Sequence, residues 1–196
     1  MSETFLYTHP HDPAARPLID ALTREYDTRY GDIPRAEGEP KEMDRYPPEV
    51  FAPPHGNFVL LLRDGVAIGG GAFMRLDPHT AEFKRIWTHA ELRRQGLARK
   101  IMVELEAQAV RQGYSRGYLT TGFRQPEAVA LYLGHGYTPL FDLAQDPATI
   151  GSLPFQKLLV PSAKVEFQEI VAKRSDLLQG VLALRGAAAL EGAVAP

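Results

Sequence analysis

The passage from Glu82 to Arg99, Glu-Phe-Lys-Arg-Ile-Trp-Thr-His-Ala-Glu-Leu-Arg-Arg-Gln-Gly-Leu-Ala-Arg, constrains the fold more than any other. It runs from an apolar strand through a short loop into a helix. The helix carries a stripe of Leu97, Ile101, Leu105 and Ala109, with Ala98 and Met102 alongside. A strand that feeds directly into an amphipathic helix demands a layered α/β arrangement, with the helix covering the sheet. The junction has chemistry of its own. A helix start leaves N–H groups without intrahelical partners, and the positive end of the helix dipole favours an anion there. Gly96 and Ala98 are small enough for backbone to approach a ligand, although the same residues also suit close helix–sheet packing. Arg93, Arg94 and Arg99 add charge that suits phosphate oxygens. Residues 94 to 99 are therefore expected to seat a diphosphate.

Upstream, residues 4 to 8 predict a first strand. Asp12 and Pro13 predict a helix start, Asp as N-cap and Pro at the first position, followed by the stripe Leu18, Leu22 and Tyr26 and a stop at Gly31. Residues 32 to 56 contain Pro34, Pro40, Pro47, Pro48, Pro53 and Pro54 and are expected to hold no regular structure. A segment that long suggests a binding loop or lid. Residues 57 to 63 and 66 to 76 predict two strands joined by a tight turn at Asp64-Gly65. Gly69-Gly70-Gly71 within the second of them predicts a bulge or the close approach of another group. It is not a P-loop, because no Gly-Lys-Ser/Thr follows.

Residues 81 to 88 and 116 to 121 predict the fourth and fifth strands, and Pro126 opens a short helix through Leu133. Residues 137 to 141 and 154 to 160 predict two more strands, separated by a polar loop. After Pro161 the character changes: residues 164 to 191 read as two helical pieces, broken near Ser175-Asp176, with Leu177, Leu178, Val181, Leu182 and Leu184 too apolar to stand alone in water. The expected organisation is one domain over residues 1–161 and a helical C-terminal extension over residues 162–196. The extension would pack on the core or on a second subunit, which leaves a homodimer open.

Composition narrows the function. A chain of 196 residues with 44% hydrophobic content can bury one sizeable core. A net charge of −2 gives no general attraction to nucleic acid or to an anionic membrane. The positive charge around residues 84 to 100 is local and suits a small anionic ligand. There is no cysteine, so neither a disulfide framework nor an acyl-cysteine intermediate is available. The six histidines follow no zinc-site spacing, so no metal is expected. No Gly-x-Ser-x-Gly elbow marks a serine hydrolase. Without a leader pattern or a long apolar run, a cytoplasmic protein is expected.

Two motifs carry a family resemblance. Arg93-x-x-Gly96-x-Ala98 after an apolar strand resembles the acyl-CoA loop of the GCN5-related N-acetyltransferases (GNAT). Ala128-x-x-Leu131-Tyr132-x-x-x-Gly136-Tyr137 resembles that family's later helix and the strand after it. The likeness covers residues 58 to 141 well and residues 5 to 35 loosely. It implies an α/β fold with a mixed, mostly antiparallel central sheet flanked by helices. It also implies that acetyl-CoA, used as co-substrate, lies between two splayed strands, where strands 4 and 5 part. Ile86, Trp87 and Thr88 match the strand segment whose backbone pairs with the pantetheine arm. Gln95, Gly96, Leu97, Ala98 and Arg99 match the loop whose N–H groups hold the diphosphate, with Arg93 and Arg94 beside it. Gln125 stands where many members carry an asparagine that contacts the cofactor, and is one methylene longer.

Acyl transfer to an amine sets three requirements. The amine must be neutral to attack: this costs roughly 4 to 5 kcal/mol at pH 7 for a lysine but only about 1 kcal/mol for an α-amine. A general base, directly or through water, helps remove the proton. A fixed N–H donor, available from strand 4, must meet the charge developing on the thioester oxygen. The departing thiolate then needs a proton or a hydrogen bond. Tyr132 matches the family's tyrosine for that last role. Glu82, at the start of strand 4, is the candidate base; strict alternation would put it on one face with Lys84, Ile86 and Thr88, and its structural alternative is an ion pair with Lys84 or Arg85. The resulting expectation is an N-acetyltransferase that moves acetyl from acetyl-CoA to a primary amine, on a small molecule rather than a protein, by direct transfer in a ternary complex. The alternative is a non-catalytic acyl-CoA-binding regulatory module.

Overall fold

The computed structural model describes residues 2–34 and 38–160; the expected helical extension over residues 162–196 lies outside them. One seven-stranded sheet organises the described chain, in the order β1-β2-β3-β4-β5-β7-β6. β1 (Glu3–Thr8), β2 (Asn57–Arg63), β3 (Val66–Asp77) and β4 (Thr80–Thr88) pair antiparallel in succession. β5 (Arg116–Gly122) pairs parallel with β4, and β7 (Ser152–Leu158) lies antiparallel between β5 and the short β6 (Thr138–Pro139). The one parallel pair, β4 with β5, is joined through a helix, α2 (Leu97–Arg111), as a parallel crossover requires.

Each face of the sheet has its own apolar layer. Alternation along β2 sends Val59 and Leu61 towards α2, where Ile101, Met102 and Leu105 meet them, all fully buried. Phe58 and Leu60 point the other way, into a layer with Leu18 and Leu22 of α1 (Arg16–Tyr30), Phe51 and Trp87. Each fully buried side chain of this size contributes about 1.5–3 kcal/mol. α3 (Pro126–Gly134) joins the α2 side through Tyr132, while Val129 and Leu131 pack against the same layer.

Several local expectations are met and others need correction. Asp12 accepts from the Ala14 N–H, though the turn it caps is 3-10 and α1 proper starts at Arg16. The glycine run in β3 is where side chains from both layers close in. A Cβ on Gly69 would lie 2.6 Å from Ile101 Cδ1, and one on Gly70 would lie 2.7 Å from the Val59 carbonyl oxygen. Residues 38 to 56 hold more structure than their prolines suggest: Glu42–Asp44 and Pro48–Phe51 form 3-10 turns, and Phe51 is fully buried beneath α1 and the sheet. The loop before β7 contains a further short helix, α4 (Pro147–Ile150), with Asp146 accepting from the Ala148 N–H.

The alternation expected for strand 4 does not survive. Ala72 of β3 pairs with Lys84 and Gly70 with Trp87, so β4 contains one extra residue opposite Gly71. Arg85 takes up the excess in a left-handed conformation, φ 59°. Beyond this bulge the faces exchange. Glu82 and Lys84 lie on the α1 side, whereas Ile86 packs towards α2 against the layer that holds Phe83.

Candidate active site

β4 and β5 pair only from Thr80–Arg116 to Phe83–Leu119 and then separate. On its other edge β4 stays bonded to β3, with Trp87 opposite Gly70 and Thr88 opposite Gly69. The segment Ile86–Thr88 therefore turns one edge of its backbone into the split, and such an edge suits an extended, amide-bearing chain.

A cavity of about 510 Å³ occupies the split. Ile86, Trp87 and Thr88 line one wall, and Ala128, Leu131 and Tyr132 of α3 line the other. Its outer end is formed by Arg93, Arg94, Gly96, Leu97, Ala98 and Arg99. Gly96 is the N-cap of α2, in the left-handed conformation at φ 76°, and Arg94 is also left-handed at φ 63°. No side chain caps this helix and its first turn contains no acidic residue, so the N–H groups that open α2 face the cavity mouth without a protein anion. The first turn closes with Lys100 N–H donating to the Gly96 carbonyl at 3.0 Å.

Most of the sequence-predicted site residues converge here. Gln95 does not line the cavity; its side chain is exposed on the loop. Gln125 does line it, but its side-chain carbonyl is engaged, accepting from Thr121 Oγ1 at 3.0 Å and from the Gly122 N–H at 3.2 Å. Trp87 is both cavity wall and buried core. Tyr132 lies at the inner end, 7% exposed, with its ring 5.9 Å from Tyr137 and 5.7 Å from Phe155. Burial pushes its pKa well above that of a free phenol, which keeps the hydroxyl protonated.

A second, smaller cavity of about 80 Å³ opens on the α1 side. Leu22, Glu25, Ile86, Gln125, Ala128 and Tyr132 line both cavities, so the two meet at Tyr132. The smaller one continues between Glu42 and Tyr46 of the proline-rich segment and Lys84 and Arg85 of β4. Glu82 is not among its lining residues. It is 1% exposed, with Oε1 2.9 Å from Nζ of Lys84, which does line the cavity. The carboxylate at the meeting point is Glu25, which pairs with Arg29 at 3.2 Å and with Arg93 at 3.3 Å.

Sequence reasoning did not single out Glu25 or Arg85. Glu25 lies on the α1 turn between Leu22 and Arg29, and only the packing of α1 against the β4–β5 split brings it to the site. Arg85 is turned towards the proline-rich segment by the bulge. The rim is tied across the site: Arg29 donates to the Arg124 carbonyl and to Glu127, and Arg124 pairs with Asp32. Among the described residues no group of His, Asp or Glu is arranged to hold a metal, and no helix is long and apolar enough to cross a membrane.

Comparison with known proteins agrees with this geometry. Residues 16–137 match the model of the acetyltransferase (GNAT) family. The uncharacterized N-acetyltransferase YjgM of Escherichia coli (strain K12) is 27% identical over 127 residues, 62% of this chain and 75% of that protein. Among solved structures, one assigned as an acyl-CoA N-acyltransferase of Klebsiella pneumoniae is 25% identical, with a TM-score of 0.60 over 81% of this chain and 98% of that one. The PaiA N-acetyltransferase of Thermoplasma acidophilum, in complex with coenzyme A, shares the fold at 14% identity, with a TM-score of 0.60 over 81% of this chain and 99% of that one. The family match begins where α1 begins and ends just after α3, and every lining residue of the larger cavity falls within it. The chain belongs to the acetyltransferase (GNAT) family.

Proposed function

We propose that this protein transfers an acetyl group from acetyl-CoA directly to the primary amine of a small molecule. The observation that carries the reading is the meeting of two cavities at Tyr132, one opening on the start of α2 and the other on polar side chains of α1 and β4. In this reading the carrier's diphosphate takes the N–H groups of residues 96–99 and the charge of Arg94 and Arg99. Its pantetheine arm pairs with the free edge of Ile86–Thr88, and Gln125 offers its amide group nearby. A second cavity beside the thioester has a use in transfer and none in carrier binding alone, which favours an enzyme over a binding module.

The amine nitrogen attacks the thioester carbonyl, a strand-4 N–H meets the charge on the oxygen, and the carbon–sulfur bond breaks. Tyr132 then donates to the departing thiolate. For the base, burial and pairing with Lys84 favour a supporting role for Glu82. Glu25, which lines both cavities, is the carboxylate we assign to the incoming ammonium and its proton. The test is free-thiol release across a panel of amine acceptors. Tyr132→Phe should lower kcat by about 10²-fold or more and leave coenzyme A binding intact, because it removes a proton donor and little volume. Unchanged turnover would remove Tyr132 from the reaction.

A further inference from the structure

We propose that the acceptor is an amine that also carries a carboxylate, an amino-acid-like molecule whose anionic end pairs with Arg85 while its amine lies towards Glu25 and Tyr132. This rests on the acetyl-transfer reading above and narrows its substrate class. The argument starts from charge balance in the smaller cavity. Lys84 has a counter-ion in Glu82 at 2.9 Å, Glu42 has Arg45 at 3.1 Å, and Glu25 has Arg29 and Arg93. Arg85 has no carboxylate within ion-pair distance among the described residues. Its one hydrogen bond runs from Nη2 to the Met43 carbonyl at 2.9 Å, and its guanidinium lies over the Phe51 ring at 4.4 Å.

That guanidinium is partly buried, and burial draws its pKa down although Glu42 and Asp44 pull the other way. A desolvated cation without a paired anion is costly, and a carboxylate that enters the cavity relieves the cost. The planar fork also suits a carboxylate geometrically, with donors to spare beyond the one given to Met43.

The cavity is thus polarised, with Arg85 on the β4 side and Glu25 and Glu42 on the side of α1 and the proline-rich segment. Because Glu25 and Glu42 already hold arginines, a purely cationic acceptor would gain little from them and would meet Arg85 unfavourably. A molecule that adds a carboxylate gives Arg85 an anion while its amine turns towards Glu25. Its amine end belongs at Glu25, the carboxylate shared with the acetyl-CoA cavity. The step balances as an ordinary acyl transfer. The amine loses one proton towards Glu25 and a second on forming the amide, the thioester carbon–sulfur bond breaks, and coenzyme A leaves as the thiol.

The experiment pairs acceptors that differ only in the anion: free amino acids, their carboxamides, and the amines left by removing the carboxyl group. Each is assayed for thiol release with saturating acetyl-CoA and for binding to the coenzyme A-loaded protein by calorimetry. The free acids should have the lowest KM. Arg85→Gln, which retains a donor for the Met43 carbonyl, should raise that KM roughly 10- to 100-fold and leave the KM of the carboxamides unchanged. Arg85→Lys should recover part of the loss. If the carboxamides or the simple amines are better substrates than the acids, the carboxylate proposal is overturned and acetyl transfer stands. If the acids bind in an Arg85-dependent way without releasing thiol, the transfer reading falls and the acceptor proposal falls with it, leaving an Arg85 site for carboxylates alone. If Arg85→Gln alters all acceptors alike, the residue is structural and the proposal is overturned, a result the wild-type ranking checks without any variant.

Discussion

The two carboxylates near the proposed transfer point differ in what surrounds them, and that separates the roles proposed for them. Glu82 is sealed and neutralises Lys84, whereas Glu25 borders both cavities. Glu25→Gln is therefore expected to lower kcat/KM for the amine by about tenfold or more, with little change in melting temperature. Glu82→Gln removes the carboxylate charge paired with Lys84 in a buried position and is expected to act first on stability. Steady-state kinetics and thermal melts on both variants check this; full activity in Glu25→Gln with activity lost in a stable Glu82→Gln would reverse the assignment. A second residue makes a pH prediction. His135 is buried, with Nε2 3.3 Å from Glu106, and burial lowers its pKa, aided by Lys157 and Arg99 and opposed by Glu106. A histidine whose folded pKa lies below the unfolded value near 6.5 stabilises the fold above pH 6.5, and that contribution drains away as pH falls through the lower folded value. Melting temperature should accordingly drop as pH falls below about 6.5, and His135→Gln should flatten the slope; an identical slope in the variant would show that the acid sensitivity has another source.

At the scale of elements, the start of α2 is the part proposed to seat the carrier. Gly96 caps it at φ 76° with open space around it, so Gly96→Ala adds no clash but forces a left-handed alanine. The expected cost is about 1–2 kcal/mol of stability, with weaker coenzyme A binding because a methyl group enters the anion seat. Calorimetry on the variant tests this, and undiminished affinity would mean the carrier does not approach that backbone. This element was legible in the sequence because its signals are local: the stripe from Leu97 to Ala109, the glycine before it and the arginines around it. The bulge was legible only from the β3 side, where Gly69-Gly70-Gly71 signals a bulge or a close approach; that the extra residue belongs to β4 was not. Arginine is an unusual residue for a left-handed position, and nothing near Arg85 in sequence announces that Gly71 would face an extra residue. The stretch between the last two strands reads as a polar loop, yet Asp146-Pro147 repeats the Asp12-Pro13 start signal, and a short helix follows it at Pro147–Ile150. The proline-rich segment concealed Phe51, whose burial depends on α1 and the sheet rather than on its neighbours.

At the scale of the molecule, the early hairpins and the parting of β4 from β5 were legible as turns plus one strand–loop–helix crossover, whereas the insertion of β7 between β5 and β6 was not. The acceptor side was not legible either, because Glu25, Glu42, Lys84 and Arg85 are joined only by the folding of α1 and the segment after it onto β4. The same architecture makes one claim central: the N–H groups that open α2 hold the carrier's diphosphate while the split between β4 and β5 takes its arm. The most direct measurement is a titration of the labelled protein with coenzyme A, following backbone amide resonances. The account predicts saturable shifts that are largest at residues 94–99, with a second set at Ile86–Thr88 and on the α3 wall around Tyr132. Coenzyme A that fails to bind, or that binds and leaves the amides of residues 94–99 unmoved, would contradict it.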